Sequence, residues 1–422
     1  MKKIILAAVI ALCMCMSGCV GREPNEIAYI VALGIDSAGE GGYKITMQYA
    51  NPTKISGGDE TGKKEGNIVE NIAVEAPNIY AALDLANQTD SKTFSMSHTK
   101  LVVFSQEVAA AGIRDMSELF IRSEELRPDV YLAVAVGSAG EYLEAVDPVM
   151  EINPAKYYQL IFDKNNIIGL PEGNGKDFFF GIETGDYDTL LPLAGVIRSG
   201  EEKNTNESDG NQKPKTNESI GEAPLNKDGF EYKMRDYIAG QNAIVIKSKT
   251  EAMGSAVFSG DKMTDTLGSI ETELYKILSS DYSYSYITLY SEKTPDDPVT
   301  LKIIRKKNPR YDIDLENKKI NVSIYIESEV YYVPSSYNIE SDLENFEKNA
   351  QMYIKQSCEK FMRSFLEKSD SDIFRLNEKC KTKFLTNSDY YAYRDRADYR
   401  DFDVEVTVDL KVRRTGLVIR EV

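Results

Sequence analysis

The chain has 422 residues, of which 42% are hydrophobic, and its 50 Lys and Arg against 67 Asp and Glu leave a net charge of -17. That length and apolar share allow two or three packed domains. So acidic a chain is ill suited to nucleic acid or to a polybasic membrane contact, and its one histidine excludes a metal site built on several imidazoles.

The chain opens on Lys2-Lys3, an apolar run Ile4–Met16, and then Ser17-Gly18-Cys19. Basic, apolar and small-residue stretches in that order form an export signal. With Cys at the cleavage point the segment looks like a bacterial lipobox. Residues 1–18 are read as a lipoprotein signal peptide and Cys19 as the lipidation site, the acylated N-terminus of the mature protein. A plain secretory signal with a chance cysteine is the simpler alternative. The apolar run is shorter than the roughly 20 residues a spanning helix needs, and no later run approaches that length. The mature chain is therefore expected to be anchored to a membrane on its extracytoplasmic face rather than to cross it.

Residues 19–26 form a polar tether. Ile27–Asp36 then reads as a buried strand and Tyr43–Tyr49 as its alternating partner. Ile55–Gly66 is Gly-rich and charged, a loop. A βα alternation follows. It comprises a helix over Ala76–Gln88 with Pro77 near its first turn, a strand Lys100–Phe104, a helix Gln106–Arg122 interrupted by Gly112, a strand Asp129–Val136, short helices Ala139–Ala145 and Ala155–Lys164, and a strand Leu190–Ile197. Gly200–Asp228 holds almost no apolar residues and cannot bury a core.

Beyond this linker, Ala243–Lys247 and Gly254–Phe258 read as strands, with a turn at Ser259–Lys262 and a helix over Ile270–Leu278. Strands Tyr284–Tyr290 and Val299–Lys306 precede a hairpin of Asp312–Leu315 and Ile320–Val330 around Asn317-Lys318. Ile339–Leu366 is the strongest helix: Ile339, Leu343, Phe346, Ala350, Tyr353, Ile354, Phe361 and Phe365 make one apolar stripe, and Ser336 or Asn338 is a candidate cap. Asp372–Phe384 is read as a shorter helix. Val404, Val406, Val408, Leu410 and Val412 alternate with polar residues, a half-buried strand. The long helix is expected to lie across this strand and Ile320–Val330, because an apolar sheet face needs a cover. The tail Arg414–Leu417 turns away.

The expected fold class is α+β to mixed α/β and multi-domain, with mixed and antiparallel sheets covered by helices and a C-terminal sheet packed by one long helix. The boundaries are an N-terminal α/β domain 27–199, a flexible polar linker 200–228, a middle β-rich domain 229–297 and a C-terminal α+β domain 298–422.

Catalytic signatures are missing: there is no GxxxxGK(S/T) and no GxSxG. His98 adjoins a buried strand and reads as a structural histidine. Asp389, Asp395, Asp398, Asp401 and Asp403 cluster, but without the spacing of a calcium loop. Tyr390, Tyr391, Tyr393, Tyr399, Arg394, Arg396 and Arg400 are interleaved with them. The segment reads as an amphipathic surface, with a protein contact as its functional alternative. Cys358 and Cys380, on apolar helix faces, read as buried thiols, although an export context would permit a bond. No catalytic, cofactor-binding or metal-binding residue is assigned, and an enzyme is not expected.

Several runs together resemble the Ger(x)C lipoproteins, the C subunits of spore germinant receptors. They are Cys19 followed by Arg22-Glu23 and Ile30–Asp36; His98-Thr99-Lys100-Leu101-Val102-Val103-Phe104; Leu119-Phe120-Ile121-Arg122 and Glu125-Leu126-Arg127; Gly254–Met263; Ser371-Asp372-Ile373-Phe374; and Val412–Leu417. The likeness spans nearly the whole mature chain. It departs in having Val20-Gly21 where the family carries Trp and an acidic residue, and in a longer connection at Gly200–Asp228. The resemblance implies a three-domain, non-enzymatic lipoprotein without cofactors. It implies a diacylglyceryl anchor on Cys19 at the spore inner membrane and partnership with membrane-embedded A and B subunits in triggering nutrient germination. The competing class is a lipid-anchored extracytoplasmic solute-binding protein, which would show two similar lobes about a hinge.

Overall fold

The computed structural model describes residues 26–414, except 40, 51–67, 149–150, 152, 164–168, 198–229, 232–236, 242–248, 280–281, 292–293, 335–338 and 340–342. The export segment, Cys19, the Ile55–Gly66 loop, the Gly200–Asp228 linker, the Ala243–Lys247 strand, the caps Ser336 and Asn338 and the tail beyond Arg414 lie outside the described residues.

The first half of the chain lays down β1 (Ile27–Gly39), β2 (Gly42–Ala50), β3 (Val69–Ala76), β4 (Thr93–Ser95), β5 (Leu101–Ser105), β6 (Tyr131–Ala135) and β7 (Leu190–Val196). β1, β5, β6 and β7 are parallel neighbours, and β2 and β3 extend the sheet antiparallel from β1. Parallel strands are covered on both faces and so read as unbroken apolar runs; Leu101, Val102, Val103 and Phe104 are each fully buried. The covering helices are α1 (Ile79–Asn87), α2 (Gln106–Ala111), α3 (Arg114–Arg122), α4 (Ala139–Ala145), α5 (Pro154–Phe162) and α6 (Gly175–Thr184). Asn78, Ser105, Ser138, Asn153 and Asn174 each accept a backbone N–H of the helix they precede, the usual N-cap chemistry. The helix expected over Gln106–Arg122 is two helices, because Gly112 takes φ +116° and ends α2. β3, β4 and α6 have no counterpart among the sequence-based expectations.

The stretch read as a middle domain, 229–297, divides between two sheets. After β8 (Phe230–Glu231), which belongs to the second sheet, β9 (Thr250–Ser259) and β10 (Lys262–Leu267) return to the first. β9 lies antiparallel to β7, with Leu190 opposite Val257 and Leu191 opposite Ala256. The reason is burial on both faces. Ser255, Ala256, Val257 and Phe258 are all 0% exposed, which a strand achieves only inside a covered sheet. Within β9 Gly254 allows a close approach of the neighbouring strand: its φ is +80°, and a Cβ there would stand 2.7 Å from the Leu267 carbonyl oxygen.

The second sheet holds β8, β11 (Tyr284–Ser291), β12 (Thr294–Arg305), β13 (Arg310–Asp314), β14 (Lys319–Tyr332) and β15 (Asp403–Arg414). The β13–β14 hairpin turns at Lys318, φ 51°. β15 pairs parallel to β14, so Ile320, Val322, Ile324 and Ile326 lie opposite Val404, Val406, Val408 and Leu410. Helices α7 (Ser269–Ser279), α8 (Leu343–Lys368), α9 (Leu376–Cys380) and α10 (Asn387–Arg394) accompany it. α8 covers the apolar face with Phe346, Ala350, Ile354, Cys358, Phe361 and Phe365, all buried. Its polar side chains also reach the free edge of β15. Gln351 Nε2 donates to the Leu410 carbonyl, Arg363 donates to that of Val404, and the N–H groups of Val406 and Val412 donate to Glu359 and Glu347. A strand edge left open is a template for foreign strands, and here helix side chains occupy it.

The two halves share apolar contacts. Leu190, Val257 and Leu267 of the first sheet belong to the same core cluster as Leu274, Ile320, Phe361 and Leu410.

Candidate functional site

The halves also meet along a polar joint. α6 ends at Gly185 in the left-handed region, φ 63°, and Asp186-Tyr187-Asp188 then lead into β7. On the other side the chain leaves α8 and turns through Ser371–Arg375 into α9, with Arg375 at φ 55°. These two turns interlock.

Asp188 and Asp372 form the centre. The Asp372 N–H donates to Asp188 Oδ2 (2.8 Å), the Gly260 N–H donates to Asp188 Oδ1 (2.6 Å), and the Asp188 N–H donates to the Asp372 carbonyl (3.2 Å). The Asp372 carboxylate accepts from the N–H groups of Leu376 (2.7 Å) and Asn377 (2.8 Å), which fixes the start of α9. Burial pushes the Asp372 carboxyl up to about 6 against the pull of those two N–H donors. Burial likewise raises that of Asp188, opposed by the N–H groups of Gly260 and Asp372.

Two charged clasps flank the centre. In one, the Arg375 guanidinium pairs with Asp177 and stacks 3.8 Å from the centroid of Tyr187, whose hydroxyl donates to Asp177 Oδ1 (2.9 Å). In the other, Asp186 accepts from the Tyr390 hydroxyl (3.0 Å) and Arg394 (3.1 Å) and faces Lys381 (3.5 Å), while Arg394 also donates to the Thr184 carbonyl (2.8 Å). Burial opposes the ionisation of Asp186, but Tyr390, Arg394 and Lys381 outweigh it and hold its carboxyl below the ordinary value. Beside the first clasp lies a cleft of ≈ 720 Å³ with Glu172, Lys176, Asp177, Phe180, Tyr275 and Arg375 on its walls.

The interleaved Tyr, Arg and Asp segment is therefore not simply an amphipathic surface. Tyr390 is 1% exposed and, with Arg394, points into the joint; Tyr399 is buried as well. Asp398 pairs with Arg400, Asp401 with Lys318 and Asp403 with Arg363. Among the described residues no group of His, Cys, Asp and Glu is arranged to hold a metal ion. Cys358 and Cys380 are both free and buried. His98 is exposed, its ring 4.3 Å from that of Tyr29 and its Nδ1 3.1 Å from Ser97 Oγ. On the solvent face of the second sheet Tyr286 and Tyr331 are about half exposed and meet edge to face, with Lys302 over the ring of Tyr331. No described helix is long and apolar enough to cross a membrane.

Sequence reasoning missed Asp186, Asp188, Asp372 and Arg375 as a group. Asp372 stood in the run Ser371-Asp372-Ile373-Phe374, but nothing local ties it to Asp186, Asp188 or Arg375, each one charge in an acidic chain.

Comparison with known proteins follows the same two halves. Residues 21–196 match the family described as "Spore germination protein N-terminal domain", and residues 253–416 match "Spore germination B3/ GerAC like, C-terminal". "Spore germination protein KC" of Bacillus subtilis (strain 168) is 30% identical over 138 residues. That match spans 32% of this chain and 34% of the relative, about a third of its length. The crystal structure of the GerBC protein superposes with a TM-score of 0.51 over 90% of this chain and 96% of that one, at 14% identity. At that identity the likeness concerns the fold, and it agrees with the multi-domain arrangement of helix-covered mixed sheets described above.

Proposed function

Because the chain belongs to the Ger(x)C family of spore germination proteins, we propose that it serves as the lipid-anchored, non-enzymatic subunit of a nutrient germinant receptor. A diacylglyceryl group on Cys19 holds it at the spore inner membrane. There it acts through contacts with the membrane-embedded A and B subunits, and nutrient binding by the complex starts germination. The observation that carries this reading is the run Ser17-Gly18-Cys19, set directly before the first family-matched residue, 21. Two acyl chains supply the stable anchoring that a single chain does not.

The test is a tagged chain and its Cys19→Ala variant in sporulating cells. The wild type should take up radiolabelled fatty acid, stay with spore membranes and bring two membrane proteins with it on purification. Equal label in the variant refutes the anchor. Purification of the chain alone from gently solubilised membranes refutes the complex. The ≈ 720 Å³ cleft favours one second reading, solute binding by the extracytoplasmic part. Saturable, tight uptake of a small molecule by the isolated protein would select it.

A further inference from the structure

We propose that Asp188 and Asp372 make the joint between the two sheets a pH-responsive latch, tighter when a proton sits on the pair and looser when both carboxyls are charged.

The argument begins with what these acids lack. Two residues away, Asp186 has Arg394 and Lys381 beside it. Among the described residues neither Asp188 nor Asp372 is in an ion pair, and their carboxylates are held by backbone N–H groups. They come from opposite halves, 184 positions apart in sequence, and each contributes a backbone hydrogen bond to the other's residue. Opening the joint must separate them. Asp372 is 8% exposed, so a charge there is deprived of water while the joint is shut and regains it when the joint opens.

Other charged and titratable groups face the pair. Lys379 is the nearby cation, and its Nζ donates to the Phe374 carbonyl. Tyr311 of β13, Tyr390 and Tyr393 of α10, Tyr399, and Cys380 of α9 face Asp372 and are all held above their ordinary values, so they stay neutral. On the Asp188 side, Asp261 next to Gly260 is paired with Arg114.

The sign follows from linkage. The closed joint holds the Asp372 proton up to about 6, and the open joint returns it to the ordinary 3.8. Between these values the closed form binds more protons, so closure is favoured as pH falls and weakens as pH rises to about 6, with no further change above. The same turn carries Arg375, which lines the cleft.

The experiment is hydrogen exchange on the full-length protein from pH 4.5 to 7.5, corrected for the intrinsic rate. It compares wild type, D372N and D188N at the amides of Gly260, Asp372, Leu376 and Asn377, with the amides of β5 as internal reference. In the wild type, protection at the joint should fall by up to tenfold per pH unit as pH rises towards about 6, then level off, while β5 stays flat. In D372N that slope should vanish, and in D188N it should shrink. A wild-type joint whose protection ignores pH overturns the latch, as does an undiminished slope in both variants. If D372N does not fold, the wild-type and D188N profiles decide.

Discussion

Replacing Phe361 by Ala tests whether α8 supplies the core of the second half. Phe361 is 1% exposed. Its ring lies 6.0 Å from that of Phe374, edge to face, and 6.2 Å from that of Phe365. Removing it takes away a fully buried ring and both aromatic contacts, and the wall cannot collapse because α8 is pinned to β15 through Gln351, Glu359 and Glu347. A buried Phe→Ala change costs about 3–5 kcal/mol, which lowers Tm by roughly 6–20 °C for a domain of this size. The comparison is Lys348→Ala on the same helix, which removes only an exposed pair with Glu344 and should change stability little. Thermal and urea denaturation of both variants provide the readout. Equal, small losses would mean that α8 does not pack on the sheet through this face.

The clasp at Asp186 makes a further prediction. Arg394→Ala should cost about 1.5–3 kcal/mol in urea denaturation, since it removes charged hydrogen bonds at a mostly buried site. The carboxyl of Asp186 lies below its ordinary value in the folded state, so the stability it contributes is present above that value and lost as pH falls. In Arg394→Ala the gap between the folded and ordinary values narrows, so this acid-side loss should be smaller, and an unchanged acid limb would refute the pairing. The thiols give a third test. Burial, foremost, raises both Cys358 and Cys380, so iodoacetamide should leave both unlabelled in the native protein and label both on unfolding. Rapid native labelling of either would contradict its burial.

Elements with one buried face were legible. In β14, Ile320, Val322, Ile324 and Ile326 alternate with half-buried residues, β15 repeats the pattern, and the stripe of α8 runs from Phe346 to Phe365. Burial on a single face writes its period into the sequence. β3 was missed because it is an outer strand whose Ile72 and Val74 are only half buried. α6 was missed because Phe178-Phe179-Phe180 and two glycines obscure any helical period. The return of β9 to the first sheet was hidden for another reason: two-sided burial says that a strand is interior, not to which sheet. The joint left least trace, since Asp188 and Asp372 acquire a common environment only through the fold.

β7 has a bearing on the order of assembly. Its antiparallel neighbour, β9, is encoded beyond the Gly200–Asp228 run. A chain delivered N-terminus first therefore cannot close its first sheet when residue Val196 arrives. Leu190 and Leu191 wait for Val257 and Ala256, so the sheet is completed only once Leu267 has followed. The non-local pairing slows folding and keeps the early part of the chain unfinished until the later part has been made. Neither family-matched half is a self-sufficient module: the second carries the strands that finish the first, and exchanging one half between relatives would have to preserve that fit.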